Sequence, residues 1–505
     1  MDPIHLDPLS KPGALATSST VIPLAFINRL TLIIFTLLIA FVVFDYAKVL
    51  KQRCELPPGG FPLPIFGNHF ALPKNKPWIV FERWAKQYNN PLITVWLGSR
   101  PTMVLNDAWV ASDLLEKRAA LYASRPTMVV MADVSGQTHV NQTTLPYGDR
   151  WRNHRKTMHT AVGSQAVREY RPFQADEGKV MTKEVMDDPA DYVMSIERYS
   201  ASVTSTIAWG RRISKKNDYV VQQALGLMES VDAIIPGKYM MVFPSHSSTP
   251  NFAQRLLTTQ STTNLSNADI AALTADFIGG GVDTTTSSIL TFLLAMLAFP
   301  DVQRKAHTEL SRICSTRSPT WIDESSLPYI SAIVKETLRW RTVTILAGIP
   351  DAPVQDDVYR GYRIPAGTTI TGNLWAIHRY PREFFSPDEF RPERYLDGLR
   401  FEYLNSRGHN AFGWGGRQCS GQPLAEQSLF ATVARRLWAA REVDIWAYND
   451  SENMRPLPFG ARFVPRSEEI KEVVVREARE ARERLRRWDG ETNLTVEGAA
   501  QGEGG

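Results

Sequence analysis

Phe412-Gly413-Trp414-Gly415-Gly416-Arg417-Gln418-Cys419-Ser420-Gly421 is the stretch on which the reading of this chain turns. Cys419 reads as a single thiolate ligand in a glycine-cleared loop, which is what a haem iron needs. An axial thiolate pushes electron density onto iron and favours O–O cleavage. Glycines let the backbone approach the sulfur and the macrocycle closely, because no Cβ intervenes. Backbone N–H groups aimed at the sulfur would tune its basicity. Arg417 supplies a fixed cation for a carboxylate such as a haem propionate, and Phe412 can cover the sulfur side. A buried cysteine in a turn is the plainer fate of a lone Cys. Zinc is a further rival, but no other cysteine lies near Cys419, and structural zinc takes four ligands at short spacings.

This run resembles the cysteine loop of the cytochrome P450 family, with Phe412, Gly413, Arg417 and Cys419 matching as cofactor-binding residues and Cys419 as the axial ligand of the haem iron. Other motifs follow in the family's order. Ser266-Asn267-Ala268-Asp269 looks like a capping-box start with Asp in place of Glu, and Pro300 ends the helix it opens, roughly 50 Å long. The middle of that helix reads Gly279-Gly280-Gly281-Val282-Asp283-Thr284-Thr285. Each glycine weakens a helix interior by about 1 kcal/mol against alanine. Such a run belongs where something must approach the backbone, or where the helix kinks for packing reasons. It is similar to the family's oxygen-binding groove. The resemblance implies that Gly280 lies against the cofactor, that Thr284 donates a hydrogen bond to oxygen, and that Asp283 feeds protons from solvent.

Glu336 and Arg339 stand at i,i+3 on a predicted helix, by itself an ordinary solvated pair. Followed by Pro392-Glu393-Arg394-Tyr395, they resemble the family's structural network of Glu336, Arg339 and Arg394. Trp151 and Arg155 share a helix face at i,i+4. An ordinary basic helix start would look the same, but the family reading sets both against a haem propionate.

The totals agree with a large globular body. The 505 residues are 43% hydrophobic and 22% charged, ordinary for a folded protein. A net charge of +4 is too weak to suggest a nucleic-acid partner. Cys54, Cys314 and Cys419 are odd in number and far apart, which fits a reducing compartment rather than a disulfide framework. Leu30 to Phe44 carries no charge, and with Val21 to Ile27 it reaches membrane-spanning length. No small-residue cleavage site follows. Lys48, Lys51 and Arg53 come next, placing the remainder on the cytosolic side. The expected organisation is a lumenal N-terminus (1–20), a membrane anchor (21–46), a basic, Pro/Gly-rich hinge (47–64), the haem-thiolate domain (65–466), and a charged, exposed C-terminal helix with a disordered tail (467–505). Leu92–Leu97 and Thr102–Leu105 read as a hairpin turning at Gly98–Pro101. Short strands are expected near 357–371 and 456–464.

Two features depart from the family's pattern. Asp351 follows Ile349-Pro350 where many relatives carry His, setting a carboxylate near a propionate unless a cation intervenes or it points away. The stretch around 240–250 is short for a family that builds its substrate roof there.

The fold expected is therefore mainly α, one large cytochrome P450-like domain with a small β region behind a single N-terminal transmembrane helix. The resemblance implies a haem-thiolate monooxygenase of the fungal secondary-metabolism branch. It would use haem b and take electrons from NADPH through a separate cytochrome P450 reductase. It would sit in the endoplasmic reticulum membrane with its catalytic domain cytosolic, bind membrane lipid, and oxidise an apolar small molecule. Cavity walls are expected at Met128–Thr144, Phe277–Gly281, Val343–Ile349 and Leu457–Phe459. An O2-independent haem-thiolate isomerase or dehydratase, and an inactive membrane-bound haem protein, remain alternative readings of the same residues.

Overall fold

The computed structural model describes residues 24–128, 138–218, 221, 251–396, 408–434, 437–438, 443–451 and 453–489. The stretch at 240–250 that was expected to be short and the expected lumenal segment lie outside them. Helix α1 (Leu24–Glu55) runs unbroken past residue 46, so residues 47–55 are helical rather than hinge. Its apolar side chains, Phe26, Leu32 to Phe41, Val43 and Phe44 among them, stand exposed. Among the described residues two helices are long and apolar enough to cross a membrane. One is this one; the other, Asn267–Ala298, is mostly buried inside the body.

The body is predominantly helical. It contains α2 (Pro77–Gln87), α3 (Asp149–Val162), α4 (Arg171–Asp187), α5 (Tyr192–Trp209), α6 (Asn267–Ala298), α7 (Pro300–Cys314), α8 (Pro328–Trp340) and α9 (Gln422–Val433), and ends on α10 (Glu468–Leu485). The long helix α6 begins as its sequence predicts. Ser266 Oγ accepts from the Asp269 N–H at 3.1 Å, and Asp269 Oδ2 accepts from the Ser266 N–H at 2.9 Å, satisfying two of the donors a helix start leaves orphaned. The other oxygen of Asp269 binds Arg150 Nη2 at 2.7 Å and His154 Nε2 at 2.9 Å. The cap of α6 thus also fixes α3, and with it Trp151 and Arg155.

Helix α5 is buried on almost every side. Its Ser, Thr and Ala residues suit that position, since small side chains let helices approach closely and their hydroxyls have local acceptors. Thr204 Oγ1 bonds back to the Ser200 and Ala201 carbonyls at 3.0 and 3.1 Å. Ser200 Oγ accepts from Thr286 of α6 at 3.0 Å.

The β region is small. Strands β1 (Leu92–Leu97) and β2 (Arg100–Leu105) pair antiparallel, and β5 (Thr369–Gly372) adds to β2 in parallel. β3 (Asp357–Tyr359) and β4 (Tyr362–Ile364) form a separate ribbon. The hairpin turns on Gly98-Ser99 alone, with Gly98 at φ +64°, and Pro101 sits inside β2 opposite Trp96. Proline is tolerated there because β5 begins to pair only at Thr102, so no bond to β5 is lost. Near 456–464 the sequence expected a strand. The structure has a single bridge at Pro456 and the two-residue strand Val464–Pro465, paired with Leu437–Trp438.

Helix α10 is not the exposed rod its charge suggested. Ser467 caps it, accepting from the Ile470 N–H at 3.2 Å. Ile470, Val473, Ala478, Ala481 and Leu485 are buried at near-helical spacing. Arg484 binds Asp176 of α4 through two bonds of 2.8 and 2.7 Å. The helix belongs to the body.

Candidate active site

A cavity of about 400 Å3 gathers most of the sequence-marked residues. Cys419, Phe412, Gly413 and Arg417 come from the loop before α9; Trp151 and Arg155 from α3; Gly280 and Thr284 from α6. The loop holds its shape by the Cys419 N–H bonding to the Phe412 carbonyl at 2.8 Å, and by a turn at Gly415–Arg417. Two glycines are needed for defined reasons. Gly413 (φ +78°) leaves open space where a Cβ would point. At Gly415 (φ +54°) a Cβ would lie 2.2 Å from the Leu115 carbonyl oxygen. Cys419 lies deep in the protein, yet its side chain is accessible from the cavity. Burial pushes its thiol pKa up, while the Gly421 N–H, the Arg155 guanidinium and the Gln422 N–H pull it back. Binding a metal deprotonates such a thiol outright.

Among the described residues three guanidinium groups face this cavity. Arg155 donates to the Gln418 carbonyl. Arg417 donates to the carbonyls of Ala123 at 2.5 Å and Leu145 at 2.7 Å, and stacks 4.2 Å over the Trp151 ring. Burial and the neighbouring Arg125 push the Arg417 pKa down to about 9. The third, Arg125, carries no strong motif beyond its place in Ser124-Arg125-Pro126, and sequence reading missed it. Backbone pairing delivers it: Ser124 bridges Ala352, and Asp351 bridges Ile370 of β5. Arg125 thereby meets Asp351 at 2.5 Å and donates also to the carbonyls of Ile349 at 2.8 Å and Pro350 at 3.0 Å. The expected clash at Asp351 is thus relieved by an interposed cation. Burial still outweighs that pairing and pushes the Asp351 carboxyl up to about 6, with Arg125 and Arg417 acting against it.

Thr284 Oγ1 donates to the Gly280 carbonyl at 2.6 Å, so its lone pairs are left for the cavity. Among the described residues Gly280 has nothing within 4 Å of a Cβ position, whereas a Cβ on Gly281 would meet Thr204 Cγ2 at 2.5 Å. Both explanations of the glycine run are therefore present in one helix: open space at Gly280, helix packing at Gly281. Asp283 does not line the cavity. It turns to Arg455 at 3.3 Å, and Arg455 also pairs with Glu197 of α5, a cluster with no sequence signal. Leu457–Phe459, expected as a wall, also lies elsewhere. Leu457 is exposed, and Phe459 packs on Tyr192, accepting its hydroxyl at 3.0 Å. Gln142, Thr143, Phe277 and the 343–349 segment do line the cavity; residues 129–137 fall outside the described set.

Glu336 receives Arg339 through two bonds of 2.8 Å, Arg394 Nε at 3.1 Å and the Arg391 N–H at 2.8 Å. Glu336, Arg339 and Arg394 are 0%, 1% and 5% exposed. The network pins the 385–394 segment to α8, whose Leu338 and the adjacent Thr342 border the cavity.

The donor set fits haem: one accessible cysteine, an open glycine on each of two facing elements, apolar walls, and arginines for two carboxylates. A mostly helical body with a cysteine facing such a cavity is the arrangement of a haem-thiolate enzyme. The cytochrome P450 family model matches residues 57–245 and 221–439, and the chain belongs to this family as a cytochrome P450 monooxygenase. The two matched segments overlap at residues 221–245. Similar fungal proteins include cytochrome P450 monooxygenase 58 of Postia placenta (32% identical, covering 81% of this chain and 86% of the relative). Others are monooxygenase fogE of Aspergillus ruber (32%; 82% and 88%) and patI of Penicillium expansum (31%; 86% and 93%). A zebrafish cytochrome P450 solved with abiraterone shares the fold, at TM-score 0.66 and 22% identity, over 78% of this chain and 100% of that one.

Proposed function

We propose that this monooxygenase inserts one oxygen atom from O2 into an apolar molecule of natural-product size, as a tailoring step in fungal secondary metabolism. Electrons come from NADPH through a separate reductase. Helix α1 holds the chain in the endoplasmic reticulum membrane with its body in the cytosol. The observation that carries this reading is the convergence of Cys419, Thr284 and three arginines on one largely apolar cavity.

Haem bound through a cysteine thiolate supplies the oxygen chemistry. In this reading Cys419 would be the ligand, and Arg155 and Arg417 would hold the propionates, with Arg125 paired to Asp351 and Trp151 stacked beneath Arg417. Gly280 clears space at the wall. Thr284 presents a hydroxyl oriented by the Gly280 carbonyl. Asp283, adjacent to Thr284 but facing Arg455 and Glu197, moves protons from that polar cluster toward the hydroxyl. The Glu336–Arg339–Arg394 network keeps the wall in place and takes no part in chemistry.

The test is the reduced, CO-bound difference spectrum of membrane-expressed protein beside Cys419→Ala. A red-shifted thiolate Soret band, lost in the variant, is expected. Its absence from folded wild-type protein would overturn the reading in favour of an inactive relic. Product formation without NADPH would instead favour an isomerase or dehydratase.

A further inference from the structure

Most of the cavity's polar groups already have partners within the protein. Among the described residues, two fully buried side-chain oxygens of the cavity wall do not. Asp276 stands on α6 one turn before Gly280, and its Oδ1 accepts from Asn141 Nδ2 at 3.2 Å. Its Oδ2 is buried without a partner among the described residues, and so is Oε1 of Gln142, the residue next to Asn141. Both residues line the cavity. A buried acceptor left without a donor has lost its hydration with nothing in return, and native structures keep few of them. No guanidinium or ammonium group pairs with Asp276 among the described residues, and burial pushes its carboxyl up to about 7 against the pull of Asn141. Around it the wall is apolar, Phe277 packing on Phe252 with ring centroids 5.1 Å apart.

We propose that Asp276, with Gln142 beside it, is the polar anchor of the substrate cavity, accepting a hydrogen bond from a hydroxyl group on an otherwise apolar substrate. A neutral donor is favoured over an ammonium group. Gln142 offers an uncharged acceptor, and among the described residues Arg125, Arg155 and Arg417 face the same cavity against a single further carboxylate, Asp351. Asp276 lies two turns before Thr284 on the same side of α6, so the anchored hydroxyl sits about 12 Å along the helix from Thr284. The substrate therefore carries its hydroxyl remote from the carbon that is oxidised. It reaches this enzyme already hydroxylated, so an earlier oxygenation, reduction or ring-forming step must supply it. This rests on the monooxygenase reading and specifies its substrate class.

The probes are phenanthrene and 9-phenanthrol, which share a ring system and differ by one hydroxyl. Binding to the haem-loaded full chain is read from the substrate-induced Soret shift. Wild type is expected to prefer 9-phenanthrol by about tenfold, the worth of one hydrogen bond. Asp276→Leu abolishes that preference without weakening phenanthrene binding, and Asp276→Asn, which keeps an acceptor oxygen, retains part of it. An unchanged ratio in Asp276→Leu overturns the proposal, as does an equal loss for both probes, the mark of a merely structural residue. A haem-loaded wild type that responds to neither probe also counts against it. Should Asp276→Leu fail to load haem, the ratio in Asp276→Asn and Gln142→Leu decides. A wild type with no thiolate Soret band refutes the monooxygenase reading itself, an outcome distinct from a changed probe ratio.

Discussion

Two adjacent glycines in the middle of α6 allow a test that separates packing from function. Replacing either by alanine removes helix-interior glycine and is worth about 1 kcal/mol of helix propensity. At Gly280 no described residue stands within 4 Å of the new Cβ, so Gly280→Ala should raise stability by up to about 1 kcal/mol while placing a methyl group in the cavity. At Gly281 the new Cβ meets Thr204 Cγ2 at 2.5 Å, well inside the roughly 3.5–4.0 Å of a good carbon contact. Thr204 cannot turn away freely, since its hydroxyl is held by the Ser200 and Ala201 carbonyls. Overpacking of this kind is worth about 1–3 kcal/mol, so Gly281→Ala should be neutral to destabilising by about 2 kcal/mol net. Thr204→Ser removes the obstructing methyl, and in that background Gly281→Ala should become stabilising. The assay is urea unfolding followed by tryptophan fluorescence, run as a double-mutant cycle with an expected coupling of about 1–3 kcal/mol. Substrate-induced Soret shifts on the same proteins should change more for Gly280→Ala than for Gly281→Ala/Thr204→Ser, whose residues border the cavity but pack on each other. Equal stability effects at both positions, or no rescue by Thr204→Ser, would refute the division of roles.

Glu336→Gln should destabilise the fold by about 3–5 kcal/mol, the usual result of leaving buried cations without their counter-charge; thermal unfolding measures this, and whatever fraction folds should keep a normal CO difference spectrum. Asp351→Asn tests a pH linkage. The folded carboxyl titrates at about 6 against 3.8 unfolded, so the native state binds the proton more tightly and stability is lost as pH rises through that window, by about 3 kcal/mol. Urea unfolding of wild type against Asp351→Asn between pH 4 and 6.5 should show this loss in wild type only, and parallel curves would refute it. Asp283→Asn should lower product formation about 100-fold if the carboxylate transfers protons, with the thiolate Soret band unchanged; a fall of less than about threefold would remove Asp283 from the proton path.

What the sequence made legible was whatever local pattern determines. The capping box at Ser266 set the start of α6, and a glycine-rich loop around Cys419 foretold its access to a cavity. Contacts made across distant segments left no such trace. Arg125 reaches Asp351 only because two backbone bridges bring residues 124, 351–352 and 370 together. The Asp283–Arg455–Glu197 cluster draws on three separate parts of the chain. Charge density misled at the C-terminus. The Glu- and Arg-rich run of α10 hides a spaced apolar stripe, Ile470, Val473, Ala478, Ala481 and Leu485, and burial follows the stripe rather than the mean composition. Leu457–Phe459 misled in the opposite sense, apolar residues that serve the surface and the core instead of the cavity.

The charge balance at the cysteine loop explains how Asp351 can stand where many relatives carry histidine. Arg125, Arg155 and Arg417 bring three positive charges to one wall, and each lies largely buried among carbonyl acceptors. Carbonyls satisfy the N–H groups but leave the charge uncompensated, and burial acts against all three cations. Asp351 compensates one of them directly, through the 2.5 Å contact with Arg125. Two positive charges remain, matching the two carboxylates of a haem. A neutral side chain at 351 would leave three cations facing two anions, and a lysine or arginine would leave four. The departure from the family pattern is therefore consistent with a working site, provided Arg125 stays with Asp351. In Arg125→Ala the Asp351 carboxylate would face a propionate with no cation between them. That variant should lose haem to an acceptor protein faster than wild type, while Arg125→Ala/Asp351→Asn should recover part of the retention.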